Sequence, residues 1–270
     1  MTLAWRTLDY EEWSDTCDTL HAHTQLLGKI AARLSPAEPG VQHAALRLTA
    51  RGWETAPLPA PDGSGALGVC LDLRGHEAVV EHSDGRERRL PLAPARSVAD
   101  VAHELLAATR ELGGELEINP TPQEVHWSVP LDEDREHATY DTRAVQRYFG
   151  QATLAALTLA AFAAPHAGRR TPVNAWWGSF DIAVNVSMES PTRELAVGWW
   201  PGDPRHPRAA FYGYFKPGAS NPRTVQLEPP QARWDDPLGE FVLDHGDVCA
   251  AADPRATVLA FARSVQTAAG

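Results

Sequence analysis

The apolar residues of this chain follow two different spacings, and segments of each kind come in blocks. Over 9–34, Trp13, Cys17, Leu20, Thr24, Leu27, Ala31 and Leu34 recur at steps of three and four, the repeat of one helix face. Pro36 and Pro39-Gly40 end that repeat. Four runs with a two-residue repeat follow, AALRLTARG, GALGVCLDLRG, HEAVVEHSDG and ERRLPLAP, with SDGRE reading as a hairpin turn. Ser97 is placed to cap a helix through about residue 112, closed by Gly113-Gly114, and ELEIN reads as one more strand. The second half repeats the order. Asp141 caps a helix over 142–164; strands follow at 175–186, 194–200 and 209–216; a proline-rich stretch (217–237) precedes a final helix over 253–267. Strands grouped in runs, not alternating with helices, predict an α+β fold of antiparallel sheets with packed helices. Each half reads helix, strands, helix. The expected domains are therefore 1–130, a helix plus an antiparallel meander, and 131–270, a helix plus an antiparallel sheet and C-terminal helix, separate or fused into one.

Charge and motifs narrow the function. The formal net charge is −11, and residues 1–150 carry 14 basic against 24 acidic side chains. Such a surface repels phosphates, so neither nucleic acid nor a membrane is expected as a partner. The longest apolar run, ATLAALTLAAFAA, is too short to span a bilayer, and the N-terminal residues hold no apolar run of signal length. Cys17, Cys70 and Cys249 are odd in number and scattered, without a CxxC pair. Together these predict a soluble, cytoplasmic protein. GxGxxG, P-loop and G-x-S-x-G patterns are missing, and HEAVVEH and HELLA lack the second histidine of a zinc H-E-x-x-H. No cofactor and no metal are therefore expected.

The stretch VNAWWGSFDIAVNVS raises the sharpest question, because a strand there carries a serine and an aspartate in its middle. Read as one strand, it sends Trp176, Gly178, Phe180, Ile182 and Val184 to one face and Trp177, Ser179, Asp181, Ala183 and Asn185 to the other. Over 209–216, Phe211, Gly213 and Phe215 oppose Tyr212, Tyr214 and Lys216; over 194–200, Leu195, Val197 and Trp199 oppose Ala196, Gly198 and Trp200. If these strands pair, one face gathers Trp177, Ser179, Asp181, Tyr212, Tyr214 and Lys216. Aromatic walls with a few convergent polar groups suit a ligand pocket. The competing reading is a solvated face whose aromatics merely favour strand.

Other residues carry weaker signals. His21 and His23 point about 200° apart on a helix, so they are no joint metal site. His21, one turn from Cys17 and from Gln25, is either a packed, hydrogen-bonded histidine or an acid/base group. DEDREHATYD (132–141) lacks the spacing and glycine of a calcium loop. It reads as a solvated loop leading into a helix, with His137 and Tyr140 as candidates for a pocket rim. Arg51 continues the alternation of Arg47 and Thr49; it is a surface charge or a fork for carboxylate or sulfate. Asp72 shares a face with Cys70 and could orient Arg51 or act itself.

The elements YEEWSDTCDTLHAHTQLLGKI, LTARGWETAPLP, DEDREHATYD, WWGSFDIAV, WWPG, AAFYGYFKP and LGEFVLDH span nearly the whole chain. On them the chain resembles a bacterial, largely actinobacterial domain family of unknown function, which implies a self-contained domain and no particular activity. It also resembles aziridine-forming enzymes of azinomycin-type biosynthesis, where the ring closes as a neighbouring amine displaces a sulfate ester. That resemblance implies a cofactor-independent lyase on a small amine-bearing substrate, free or carrier-protein-bound. Asp181 or Asp72 would deprotonate the amine, and Arg51, His21 or Lys216 would face the departing oxyanion. The aromatic walls would fold the substrate for attack. The alternative function is a non-catalytic small-molecule-binding module using the same pocket. A third is a protein-interaction domain presenting Trp199-Trp200 and the proline-rich stretch.

Overall fold

A computed structural model of the protein describes residues 3–166, 168–188 and 193–270. Its class is α+β, with helices flanking two antiparallel sheets. The chain divides into two compact units that interleave in sequence. One, the meander unit, comprises Trp13–Phe149 and Ala175–Phe180; the other, the sheet unit, comprises Met1–Glu12, Gly150–Asn174 and Asp181–Gly270. Compactness thus divides the chain at four places, because strand pairing joins segments distant in sequence.

In the meander unit, α1 (Ser14–Leu34) is buried on nearly every side. Thr19, Thr24 and Gln25 are as inaccessible as Leu20 and Leu27, so the single apolar stripe expected from the spacing understates its contacts. Strands β1 (Arg47–Leu48), β2 (Gly52–Glu54), β3 (Leu58–Pro59), β4 (Ala66–Asp72), β5 (Glu77–His82) and β6 (Glu87–Pro91) form an antiparallel sheet. Its order is β1-β2-β4-β5-β6, with β3 also on β4. The expected hairpin joins β5 to β6, with Gly85 at φ 94°. The helix α2 (Val98–Gly113) packs on β4, β5 and β6, and the Ser97 side chain accepts from the Asp100 amide at its start. ELEIN forms no strand. The Leu116 carbonyl there accepts instead from the Arg110 side chain.

The helix α3 (Thr142–Ala163) begins in the meander unit and continues into the sheet unit. Asp141 caps it as expected, accepting from the Arg143 and Ala144 amides. The strands β7 (Asn174–Trp176), β8 (Asp181–Ser187), β9 (Glu194–Trp200), β10 (Ala210–Lys216), β11 (Arg233–Asp235) and β12 (Glu240–Asp244) run in the order β11-β12-β10-β9-β8-β7. Two short-range elements, α4 (His245–Ala250) and α5 (Pro254–Ala269), follow, and α5 packs against β9 and β10. The apolar face of this sheet carries Val184, Val197, Trp199, Phe211 and Phe241, all buried, with Phe261 and Val265 from α5. Trp199 and Trp200 are 0% and 9% exposed, which removes them as an exposed interaction surface.

The single strand expected over 175–186 is broken. β7 ends at Trp176, a turn occupies 177–180, and β8 starts at Asp181. Phe180 closes the turn at φ 58°, a left-handed conformation costly for a bulky side chain. Trp177 and Ser179 therefore lie in the turn and not on a strand face with Asp181. Among the described residues no helix is long and apolar enough to cross a membrane.

Candidate functional site

The register of the second sheet assembles a polar row on the face opposite α5. Ala183 lies opposite Gly198, Gly198 opposite Tyr212, and Tyr212 opposite Val242. Directly opposed residues share a face. Stepping by two along each strand adds Asp181 on β8, Tyr214 and Lys216 on β10, and Glu240 on β12 to that face. The Tyr212 hydroxyl donates to Asp181 Oδ2, and both side chains are buried. A Cβ on Gly198 would overlap the Tyr212 ring, so only glycine lets the ring lie flat across β9 to reach Asp181. Tyr214 lies nearly parallel to Tyr212 at 6.4 Å, and Trp200 meets Tyr212 edge-on at 5.6 Å. Lys216 is exposed, with Nζ 5.4 Å from the centre of the Tyr214 ring.

The electrostatics of this face are unusual for one reason: a buried acid, Asp181, shares it with a half-buried one, Glu240. Burial, then the charge of Asp181, pushes the Glu240 carboxyl up to about 7, with Arg205 opposing the rise. Burial and the same aspartate push the Tyr212 phenol well above its ordinary value, so it stays a protonated donor. Asp244, also on β12, behaves in the opposite way. Burial acts to raise it, but hydrogen bonds from His206 and Arg233 outweigh that and hold it at about 2. Glu240 has no ion pair among the described residues. Arg205 is engaged by Asp203 at 2.7 Å.

The meander unit holds the remaining sequence candidates, and most of them have structural partners. His21 Nε2 lies 3.0 Å from the Trp177 carbonyl and 2.9 Å from the Gly178 carbonyl. Both are acceptors, so this nitrogen carries the proton and pins the 177–180 turn. The His21 ring stacks on Phe180, which also stacks on Trp53 and Tyr148. These are the contacts of a packed, hydrogen-bonded histidine. Trp177 donates to the Ala44 carbonyl at 3.0 Å, and a Cβ on Gly28 of α1 would overlap its ring. Ser179 is exposed in the turn. Arg51 lies between β1 and β2, where it pairs with Glu81 at 3.2 Å and Glu54 at 3.5 Å. Asp72 Oδ1 accepts from the amides of Arg74 and Gly75, so it closes the β4–β5 turn and does not orient Arg51. His137 pairs with buried Asp134 at 2.7 Å, and Tyr140 lies 3.3 Å from His76 Nδ1. Asp181, Tyr212, Tyr214 and Lys216 thus come together on one unit; Trp177, Ser179, His21, Arg51, Asp72, His137 and Tyr140 belong to the other.

Glu240 and Arg205 were missed by sequence reasoning. The signal for Glu240 is present in the sequence: EFVLD, directly after the proline-rich stretch, alternates polar and apolar residues as a strand does. Two cavities in the described structure involve other residues. One, of about 190 Å³, lies in the meander unit; the other, of about 520 Å³, is lined in the sheet unit by His166, Arg169 and Arg263 among others. Among the described residues no three His, Cys, Asp or Glu side chains come together as metal ligands would.

No curated protein and no solved structure matches this chain. A family model matches residues 5–194 and 185–270, nearly its full length. The chain belongs to that family, DUF5996, a family of unknown function.

Proposed function

We propose that the protein is a cofactor-independent enzyme acting on a small amine-bearing substrate, with Asp181, Tyr212 and Glu240 as its acid–base centre. One observation carries this reading: two carboxyl groups share a partly buried face, and one of them is tuned to about 7. Groups of this kind exchange protons most effectively near neutral pH. Asp181 takes the proton of an ammonium, Tyr212 holds the carboxylate in place, and Glu240 passes the proton on. Tyr214 and Trp200 form the aromatic wall, and Lys216 stands at its edge.

In its sharpest form the reaction closes an aziridine. The freed amine lone pair attacks the carbon bearing the sulfate ester, the carbon–oxygen bond breaks, sulfate leaves with the electron pair, and the aziridinium so formed loses its extra proton to solvent. The departing anion needs a cation placed in line. Arg51 and His21 are engaged elsewhere and Arg205 is paired with Asp203, so this reading assigns the role to Lys216. The substrate is free or carried by a carrier protein. The test is sulfate release from a panel of amino-alcohol sulfates, followed by ion chromatography with and without Asp181→Asn. Release equal to the control without protein across the panel discards the sulfate chemistry. Binding retained with turnover lost in Asp181→Asn supports catalysis. The second reading, a non-catalytic binding module on the same face, rests on the aromatic wall of Tyr212, Tyr214 and Trp200. For that module, Asp181→Asn leaves no turnover to lose.

A further inference from the structure

Two hairpin loops of the meander unit meet at one place. β3 and β4 pair around the loop 60–65, and β5 turns into β6 after His82. The register of β4 with β5 sets Leu67 opposite His82, so the end of β5 lies beside that loop. There Ser64 Oγ lies 3.1 Å from His82 Nε2, and His82 Nδ1 lies 2.9 Å from Asp84 Oδ1. A hydroxyl, an imidazole and a carboxylate in that order, each within hydrogen-bond reach of the next, form the constellation of an activated nucleophile. No G-x-S-x-G elbow carries it; the serine stands between two glycines in PDGSGA.

The three groups are held in place. The Ser64 amide donates to Asp62 Oδ1 at 2.8 Å, and Asp84 pairs with Arg86 at 2.8 Å. A Cβ on Gly65 would lie 2.5 Å from Ser83 Oγ and 3.1 Å from His82 Nε2, so only glycine lets the imidazole come this close to the loop. The Arg86 amide, then the His82 side chain, hold the Asp84 carboxyl below its ordinary value, so it stays charged. His82 Nδ1 also has rival donors, the Asp84 amide at 3.2 Å and Arg86 at 3.5 Å. The shorter, charge-assisted bond to the carboxylate puts the proton on Nδ1 and turns the Nε2 lone pair to the Ser64 hydroxyl. Asp62 faces the same hydroxyl, which holds its carboxyl below the ordinary value. Asp62 is thereby the weaker base, and the imidazole takes the proton. Ser64 is exposed, and a Cβ on Gly63 or Gly85 would meet nothing, so its approach is open. The Gly65 amide has no hydrogen-bond partner among the described residues and is free to donate to an acyl oxygen.

We infer that Ser64 is a nucleophile that takes a small acyl group from a thioester or an activated ester. Its Oγ bonds to the acyl carbon, the carbon–sulfur or carbon–oxygen bond breaks, and the thiolate or stabilised oxyanion leaves with the electron pair. The hydroxyl proton passes to His82 Nε2, and the imidazolium so formed faces Asp84. The His82 side chain is fully buried. Leaving groups of this class depart unprotonated, so the imidazole need not reach them. Nor does it reach a water, so the acyl-serine persists. The inference is independent of the acid–base face on the sheet unit.

Rapid mixing of the full chain with p-nitrophenyl acetate tests it. A burst of one nitrophenolate per chain is expected, with one acetyl group on Ser64 by peptide mass spectrometry. Ser64→Ala, a change at an exposed position, is expected to abolish the burst, and His82→Gln to slow it about 100-fold or more. Asp181→Asn is expected to leave it unchanged, so failure here and failure of the acid–base reading are told apart. NMR of the imidazole nitrogens is expected to show neutral His82 protonated at Nδ1. No burst, a burst that survives in Ser64→Ala, release that continues past one equivalent at the burst rate, or a neutral His82 protonated at Nε2 overturns the inference. If His82→Gln does not fold, Ser64→Ala and the His82 tautomer decide.

Discussion

The two sheets use the same acidic residue types to opposite ends. On the first, charges lie at the surface and are matched: Arg51 with Glu81 and Glu54, Arg89 with Glu87 and Glu77. Water and salt screen such pairs, and each is of small consequence. On the second, Asp181 is buried against a tyrosine, and Glu240 stands half-buried without an ion pair among the described residues. Desolvation without a matching cation is what moves Glu240 into the physiological range. Charge alone therefore says little about chemistry in this protein; the combination of burial and missing counter-charge says where protons can move.

The largest expected effect separates the sheets directly. Under the proposed reading, Asp181→Asn lowers turnover by about 100-fold or more. Asp72→Asn, whose amide oxygen can still accept from Arg74 and Gly75, leaves turnover unchanged. Steady-state kinetics on the two variants would break the comparison if both lost activity alike.

Packing comes next. Gly28→Ala drives a methyl into the Trp177 ring and is expected to cost about 3 kcal/mol, and Gly198→Ala, against Tyr212, about 2 kcal/mol. Denaturant melts measure both. Only Gly198→Ala should also disturb the Tyr212–Asp181 bond.

The pH dependence of stability is expected to differ in sign between the units. Glu240 is raised from 4.5 to about 7 in the folded protein, so its contribution is present below pH 4.5 and lost as pH rises through 7. Glu240→Gln should therefore gain stability over the wild type across that window, by at most about 3 kcal/mol above pH 7. His23, buried without a hydrogen-bond partner among the described residues, is lowered from 6.5 to about 4 by burial. Its contribution is present above pH 6.5 and lost as pH falls through 4, so His23→Leu should flatten the acid side of the stability profile. Melts from pH 4 to 8 distinguish the two, and identical profiles would show that burial does not govern either group. The smallest effect belongs to Arg51→Ala, expected within about 0.5 kcal/mol of the wild type because its pairs are surface pairs.

Local chemistry was readable from the chain alone. Ser97 and Asp141 cap helices where their side chains can reach amides two or three residues on, a decision made within one turn. The two-residue repeat over 209–216 assigned Tyr212, Tyr214 and Lys216 to one face, because alternation is a property of any strand. Tertiary structure decided the rest. The same alternation failed across 177–180, where His21 from α1 binds the turn carbonyls and the aromatic stack holds Phe180 at a positive φ. Glu240 joined Asp181 only through the β10–β12 register, a pairing across about thirty residues that no local pattern specifies. The polar residues of α1 proved buried because a distant loop supplies their hydrogen-bond partners. Propensity and capping act over a few residues and can be read in order; desolvation and register depend on which distant segments meet, and only the folded chain brings them together.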